Sequence, residues 1–314
     1  MKMKAYYDYL TELEKDPDSR PRSRGAAAIK ARRRQAAEAA TLVESTDGSV
    51  AGFNPSYAGS RHEREWILTH LGPFYDDNIL ADVLRQVKGG KEATVYCCRA
   101  HAAVGGGLLA AKVYRPRMFR NLRNDAVYRQ GRAVLDSEGK QIRDGRQHRG
   151  NNLRAVQQTS WVATEFETLR RLHEAGVAVP RPIAHGENVI VMEYLGAAER
   201  AAPTLNTVTL DPAEAETLCA ALLGDVERML AQDCIHGDLS AHNVLYWQGE
   251  VRIIDFPQAV SPVENPQAHA LLQRDVTRLC QYFHRFGIIT DPDVIVADLW
   301  RGYEPLEAYP FDDM

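Results

Sequence analysis

Long apolar runs are missing from this chain. No stretch of 18 or more apolar residues occurs, which excludes a transmembrane helix of ordinary length from it. The start, MKMKAYYDYLTELEKDPDSR, lacks the apolar core of a secretory leader, so a cytoplasmic protein without membrane contact is the expectation. Cysteine is scarce: there are five, an odd number, with no C-x-x-C spacing. Cys97 and Cys98 are adjacent, which suits neither an ordinary disulfide nor a zinc site. A reducing compartment is the simplest fit. No internal repeat is present. A large excess of one charge is also missing: 42 acidic and 38 basic residues leave a formal net charge of -4, which argues against a generic nucleic-acid binder.

What is present is an ordinary globular composition over 314 residues, 45% hydrophobic and 25% charged, enough for one large domain or two modest ones. The near-neutral total hides segregation. Residues 20–34 (RPRSRGAAAIKARRR) carry seven basic groups and no acid, residues 115–154 carry eleven Lys/Arg against four acids, and residues 291–314 carry seven acids against one Arg. The first 60 residues, rich in Ala, Arg, Ser and Gly, read as a basic flexible arm. Order is expected from about Trp66, where Trp66, Ile67, Leu68, Leu71, Phe74 and Tyr75 form a core-facing pattern.

Strand signals at Thr94–Cys98 and Leu108–Tyr114 flank Gly105-Gly106-Gly107. Residues 115–155 lose periodicity and read as a mobile or functional basic loop. Residues 161–175 read as a helix stopped by Gly176, with Glu165, Leu169 and Leu172 on one face, so Glu165 is expected to point inward. Val189–Met192 reads as a short buried strand. Asp211-Pro212-Ala213-Glu214 is a helix start, with Leu218, Leu222, Val226 and Leu230 on the apolar face behind it. Val244–Trp247 and Val251–Ile254 read as a hairpin around Gln248-Gly249-Glu250. A last helix carries Leu272, Val276, Leu279, Phe283 and Phe286. Strands with one helix, then mainly helices, make an α+β chain of two lobes.

The chemistry concentrates in His236-Gly-Asp238-Leu-Ser-Ala-His-Asn243 and in Ile253-Ile254-Asp255-Phe256. Asp238 and Asn243 share a loop between a helix and a hairpin, and Asp255 ends the second hairpin strand. Three oxygen-bearing groups around one point suit phosphoryl transfer: a carboxylate orients an acceptor while oxygen ligands hold Mg²⁺ on phosphates. A carboxylate pair also serves glycoside hydrolysis, but that reaction gives no reason for the Asn or for a lysine. Lys112 lies in a strand among Leu109, Ala110, Ala111 and Val113. An inward Glu165 needs a partner, and a Lys112–Glu165 pair satisfies both while leaving the ammonium able to touch phosphates. Lys88-Gly89-Gly90-Lys91-Glu92-Ala93-Thr94-Val95 precedes the strand pair, and its glycines let backbone amides approach phosphates. Val191-Met192-Glu193-Tyr194-Leu195-Gly196 reads either as a plain strand end or as a hinge that hydrogen-bonds an adenine edge. Asp275, on an otherwise apolar helix, either braces the catalytic loop or pairs with Arg274 or Arg278.

Together VKGGKEATVY, HGDLSAHNVLY, IIDFPQAV and WVATEFETLRRL resemble the RIO kinases, an atypical branch of the protein-kinase-like superfamily. The resemblance runs from about residue 66 to about residue 286. It implies a bilobal kinase-like fold: residues 61–195 as a mainly β N-lobe with one key helix, and 196–314 as a mainly α C-lobe with an acidic tail. It implies that Lys112 contacts the α/β-phosphates and pairs with Glu165, that Asp238 is the catalytic aspartate, and that Asn243 and Asp255 ligate Mg²⁺, with Mn²⁺ as the alternative. It also implies that Asp255 accepts phosphate in an aspartyl-phosphate route. Around ATP it sets Gly90, Lys91, Glu92, Val95, Ala110 and Lys112 from the first strands. Met192, Glu193 and Leu195 stand at the hinge, with the backbone of Glu193 and Leu195 facing adenine. Leu245 and Ile254 lie beneath.

The chain departs from ordinary kinases in three ways. Of the three loop glycines only Gly90 is kept, with Lys88 and Ala93 at the other positions. The D-F-G motif becomes Asp255-Phe256-Pro257, whose proline fixes φ and lacks an amide, disfavouring a flip of Phe256. No A-P-E motif follows, so no extended activation segment is expected. The reading is therefore a RIO-type Ser/Thr kinase or autophosphorylating ATPase acting on protein or on itself. Two alternatives stay open. One is a small-molecule kinase resembling the aminoglycoside phosphotransferases, which share H-G-D-L-x-x-x-N. The other is a nucleotide-switched factor bound to RNA or a ribosomal subunit through the basic segments.

Overall fold

The structure is a computed structural model that describes residues 52–90, 92–115 and 151–303, with 151–160 described as helix backbone alone. The readings of an arm at 1–51, a loop at 116–150, a tail at 304–314 and of Lys91 fall outside the described residues. The chain divides after Gly52, and the unit from Phe53 onward is the one described below.

Residues 53–60, assigned by composition to the arm, are packed: Phe53 stacks on Tyr75 at 4.7 Å and Ser56 Oγ donates to Asp82 at 2.6 Å. Ser60 then caps α1 (Arg61–Asp76), accepting the Glu63 N–H, and the helix buries Ile67, Leu71 and Phe74. A five-stranded antiparallel sheet follows, in the order β1-β2-β3-β5-β4. Its strands are β1 (Leu80–Gly89), β2 (Ala93–Ala100), β3 (Leu108–Tyr114), β4 (Pro182–His185) and β5 (Val189–Glu193). The sequence reading lacks β1. Register shifts interrupt β1 at three points, so its buried residues, Leu80 and Val83, fall three apart and break the period of two. It also lacks β4, only four residues long and half-buried throughout.

Between β3 and β4 lies α2 (Asn151–Glu174), which starts ten residues before the helix read from the sequence at 161–175. Residues 151–155, read from the sequence as the end of the basic loop, are helix, because NNLRAVQQTS offers little apolar periodicity to reveal it. Gly176 ends it with φ +76, a left-handed turn in which Gly176 N–H bonds His173 C=O at 3.0 Å.

The second lobe is mainly helical. Asp211 caps α3 (Pro212–Leu230) by accepting the Glu214 N–H at 3.0 Å, and Leu218, Leu222, Val226 and Leu230 are buried. The hairpin β6 (Val244–Trp247) and β7 (Glu250–Ile253) turns through Gln248 and Gly249, at φ 53 and 84. Both values are positive, so the turn has two residues and Glu250 belongs to the strand. The next helix, α4 (Ala268–His284), buries Leu272, Val276, Leu279 and Phe283. The acidic stretch after residue 291 opens with another helix, α5 (Pro292–Gly302), capped by Asp291 with Pro292 in its first turn. The same Asp-Pro signal that marks α3 marks it, masked in the sequence by the surrounding acids.

The lobes are joined by hydrogen bonds where α2 ends. Ile253 N–H bonds Ala178 C=O at 2.7 Å, and Ala178 N–H bonds the carboxylate of Asp225 at 3.0 Å. Asp225, 1% exposed, also pairs with Arg228 at 2.7 Å. Leu169 and Leu172 of α2 share the lower core with α3 and α4. No helix of the described residues is long and apolar enough to cross a membrane.

Candidate active site

Register decides which side chains of the sheet share a face. Val95 lies opposite Lys112, Ala110 opposite Met192, and Ala110 and Lys112 are two apart on β3. Directly opposed and alternate residues point the same way, so these four stand on one side. Lys112 Nζ donates to Glu165 Oε1 at 2.9 Å and to Asp255 Oδ1 at 2.6 Å. One ammonium thus ties β3, α2 and the residues after β7. Glu165 is 4% exposed, and its second oxygen accepts the Tyr114 hydroxyl. Tyr114, two residues beyond Lys112, also carries that ammonium 4.9 Å from its ring centroid.

These contacts set the charges. Burial by itself lowers the Lys112 pKa, but the carboxylates of Asp255 and Glu165 outweigh it and hold it well above the ordinary lysine value. The Lys112 ammonium in turn holds the Asp255 carboxyl below its usual range, against the effect of burial. Burial, then Glu165, pushes the Tyr114 phenol up.

Below the sheet, the loop of Asp238 hangs on Asp275. Gly237 N–H and Leu239 N–H donate to the two oxygens of Asp275 at 2.7 and 3.0 Å. Asp275 is 2% exposed, and burial pushes its carboxyl up to about 7 although the two amides pull the other way. Arg274 donates to Gly237 C=O, and Arg278 pairs with Asp238 Oδ1 at 2.7 Å. Asn243 donates its amide nitrogen to Asp238 C=O at 2.9 Å and lies 3.4 Å from Asp238 Oδ2.

The hairpin and the loop are stitched together. Ile254 N–H bonds Asn243 C=O at 2.9 Å, and Ile254 C=O meets His236 Nε2 at 3.1 Å. A carbonyl only accepts, so Nε2 carries the proton and Nδ1 accepts the Asp238 N–H at 3.2 Å. Burial lowers the His236 pKa, in keeping with this neutral form. Phe256 is buried against the His236 ring at 4.7 Å. Asp255, fixed on both sides, has φ 74, a left-handed conformation uncommon outside glycine. From Asp255 to α4 the chain passes only through the Ile235–Val260 bridge and short turns, so no extended segment intervenes.

The remaining candidates are dispersed around this centre. Gly90 N–H closes the β1–β2 turn on Ala93 C=O at 3.0 Å, and Glu92 C=O accepts the Arg115 N–H at 2.8 Å. Glu193 N–H is taken by Arg181 C=O at 2.8 Å, and Leu195 C=O accepts the Ala202 N–H at 2.9 Å. Leu245 pairs with Arg252 in the hairpin. A cavity of about 210 Å³ lies against the hinge, lined by Glu193, Leu195, Trp247 and Arg252. A larger one, about 500 Å³, opens beside Asp238 and Asn243 and runs along α4 past Arg278 and Arg285. Lys112 lines neither. Tyr114 and the Arg278 contact with Asp238 are absent from the sequence reading. The i+2 spacing from Lys112 is the signal for Tyr114, while a contact 40 residues away in sequence leaves none for Arg278.

The RIO domain profile matches residues 109–295. The RIO-type serine/threonine-protein kinase Rio1 of Haloferax volcanii is 33% identical over 211 residues, covering 66% of this chain and 65% of that protein. Its Thermoplasma acidophilum counterpart is 36% identical, over 43% of this chain and 69% of its own. Among solved structures, the Rio2 kinase–ADP/Mg²⁺–phosphoaspartate complex of Chaetomium thermophilum matches with a TM-score of 0.54 at 23% identity, covering 74% of this chain and 65% of that one. The chain thus spans 65% of the length of the Haloferax relative.

Proposed function

The chain belongs to the RIO domain family, and from that membership we propose that it is a Mg-ATP-dependent phosphotransferase acting on serine or threonine of a protein or of itself. The observation that carries the reading is the single ammonium of Lys112, 2.9 Å from Glu165 and 2.6 Å from Asp255. A cation so held is oriented for the α/β-phosphates, and the loop bearing Asp238 is fixed beside it through Asn243 and Ile254.

Asn243 and Asp255 suit Mg²⁺. The amide nitrogen of Asn243 is engaged by Asp238 C=O, which leaves its oxygen, and Asp255 offers a carboxylate, so both donors are hard oxygens. When bound, Mg²⁺ neutralises charge on the phosphate oxygens. Mn²⁺ takes the same donors. In this reading the carbonyl of Glu193 and the amide of Leu195 serve as acceptor and donor for adenine, while the Glu193 N–H and the Leu195 C=O are taken within the protein.

Asp238 accepts the proton of the acceptor hydroxyl as its oxygen bonds the γ-phosphorus. The bond from that phosphorus to the β-bridging oxygen breaks, and its electron pair leaves with ADP. On the self-acting route the Asp255 carboxylate attacks the γ-phosphorus, ADP leaves with the electron pair of the broken bond, and water then releases phosphate from the aspartyl phosphate. The phosphoaspartate in the Chaetomium Rio2 complex supports this second route.

Incubation with γ-labelled ATP and Mg²⁺ tests the reading. Label is expected on Ser/Thr, as an acid-labile aspartyl phosphate, or as free phosphate, and Asp238→Ala is expected to abolish it while ATP still binds. Undiminished turnover in that variant overturns the reading. Binding to RNA or a ribosomal subunit rests on the basic segments alone, and salt-sensitive co-sedimentation with subunits tests it. All five cysteines are buried and none is in a disulfide, which fits a reducing compartment.

A further inference from the structure

We propose that the cavity beside Asp238 receives an acidic polypeptide segment, in which the acceptor serine or threonine is accompanied by two carboxylates gripped by Arg278 and Arg285. The inference rests on the phosphotransferase reading and specifies its substrate.

The cavity has a volume of about 500 Å³, and Asp238, Ser240 and Asn243 are among the residues that line it. Its outer wall is α4, which contributes Arg278, Gln281 and Arg285. Arg285 sits at the helix C-cap with α-helical dihedrals, so helical geometry extends to it. Residues seven apart lie on the same face, about 10 Å apart along the axis. One phosphate or carboxylate does not span that distance. An extended polypeptide does so in about three residues, at roughly 3.3 Å each.

The surroundings of the two arginines differ in a way that suits this use. Arg285 is exposed, rests over the rings of Tyr282 and Phe286 at 5.5 and 5.7 Å, and pairs with no acid among the described residues. Tyr282 itself is fixed by its hydroxyl on Leu205 C=O at 2.7 Å. Arg278 does have a partner, and it is the catalytic carboxylate: Asp238 Oδ1, at 2.7 Å. An acceptor hydroxyl needs that oxygen, since Oδ2 already faces the Asn243 amide at 3.4 Å. A carboxylate arriving beside the hydroxyl offers Arg278 a replacement and releases Oδ1 to take the proton. A neutral acceptor leaves the base paired. Arg278 is thus a positioning and specificity residue, and Arg285 marks the second acid, about three residues further along the chain.

The test uses the full chain, γ-labelled ATP and Mg²⁺ with pairs of serine peptides. Members of a pair differ only in carrying Asp/Glu or Asn/Gln next to the serine and three residues beyond. The acidic member is expected to be used with roughly tenfold higher kcat/KM, the scale of one charged hydrogen bond. Arg278→Gln and Arg285→Gln are each expected to erase most of that preference, and Arg285→Glu to shift it toward a peptide with Lys at the outer position. The control is Arg301→Gln, on α5 outside the cavity, which is expected to keep the full preference. Equal use of both peptides by the wild type overturns the proposal, as does a preference that survives both Arg→Gln changes. Label found only on the chain itself or as free phosphate overturns the peptide acceptor and leaves the phosphotransferase reading standing. Label that never leaves ATP overturns that reading itself.

Discussion

Lys112 and Asp238 organise the two sides of the cleft, and their surroundings are built differently. The Lys112 side chain is 13% exposed and holds two carboxylates, one of them only 3% exposed. The Asp238 side chain is 42% exposed and pairs with an arginine that is itself 39% exposed. The upper group is locked by Glu165, which water does not reach, so removing it leaves a buried charge. The lower group has partners that solvent screens and that exchange cheaply. Holding phosphates needs a fixed cation, while accepting a proton needs an atom that can change partners within a turnover. The contrast predicts that damage above costs stability as well as rate, and damage below costs rate alone.

The largest effect is expected below. Asp238→Asn keeps the shape of the side chain but cannot take a proton, so phosphoryl transfer should fall by roughly 10²–10⁴-fold. Unfolding free energy should change by no more than about 1 kcal/mol, because the carboxylate is half exposed. Single-turnover transfer together with urea unfolding separates the two. A large loss of stability with little loss of rate would erase the contrast.

Above the cleft stability should fall together with rate. Lys112→Met strands Glu165, so a destabilisation of about 3–5 kcal/mol is expected in urea unfolding. Adding Glu165→Gln should recover part of it, since the stranded charge is then gone. Arg278→Gln, its counterpart below, should cost less than about 1 kcal/mol.

The same contrast explains what could be read from the sequence. The loop of Asp238 and Asn243 was legible because its polar residues lie close together in the chain, where spacing alone carries the chemistry. The Lys112–Glu165 contact was legible because each charge sits among apolar neighbours, and burial forces two such groups to meet. The partners supplied by distant elements were not legible in full. Arg278 and Asp275 are three apart on α4, yet one faces the cavity and the other the buried loop amides. The sequence leaves Asp275 either bracing the loop or pairing with Arg274 or Arg278, and gives no sign of the Arg278 contact with Asp238. In the fold, helices with one continuous apolar face were found, as were hairpins with a marked turn. Strand β1 was hidden by its bulges and the start of α2 by a polar stretch, since neither keeps a period. Asp255 at φ 74 follows from tertiary fixing by Ile254 and Phe256, which no local preference announces.

A smaller effect tests how tightly the upper group is held. Tyr114→Phe removes only the hydroxyl that meets Glu165, leaving one buried carboxylate oxygen without its donor. A loss of about 1–3 kcal/mol in unfolding free energy is expected, with transfer nearly intact. A large drop in kcat would mean that the hydroxyl also sets the reach of Lys112 toward the phosphates.

The smallest effect is one of pH, and it probes where the lower loop stops being free to change partners. His236 sits beneath Asp238 as a neutral ring, with Nε2 donating to Ile254 C=O and Nδ1 accepting the Asp238 N–H. Burial lowers its pKa from 6.5. Between the lowered value and 6.5 the unfolded chain therefore holds a proton that the folded chain does not, and stability rises with pH across that window. The contribution is whole above about 6.5 and is lost as pH falls through the folded value. His70, which burial pushes down to about 4, adds a slope of the same sign, so the measurement is a difference between two curves. Thermal midpoints of the wild type should fall more between pH 7.5 and pH 5.5 than those of His236→Gln, which has no proton to gain. Transfer should decline with them, because a second proton on Nδ1 expels the Asp238 amide. Parallel curves would mean that the imidazole tolerates its charge, and that the backbone of the loop yields as readily as the carboxylate above it.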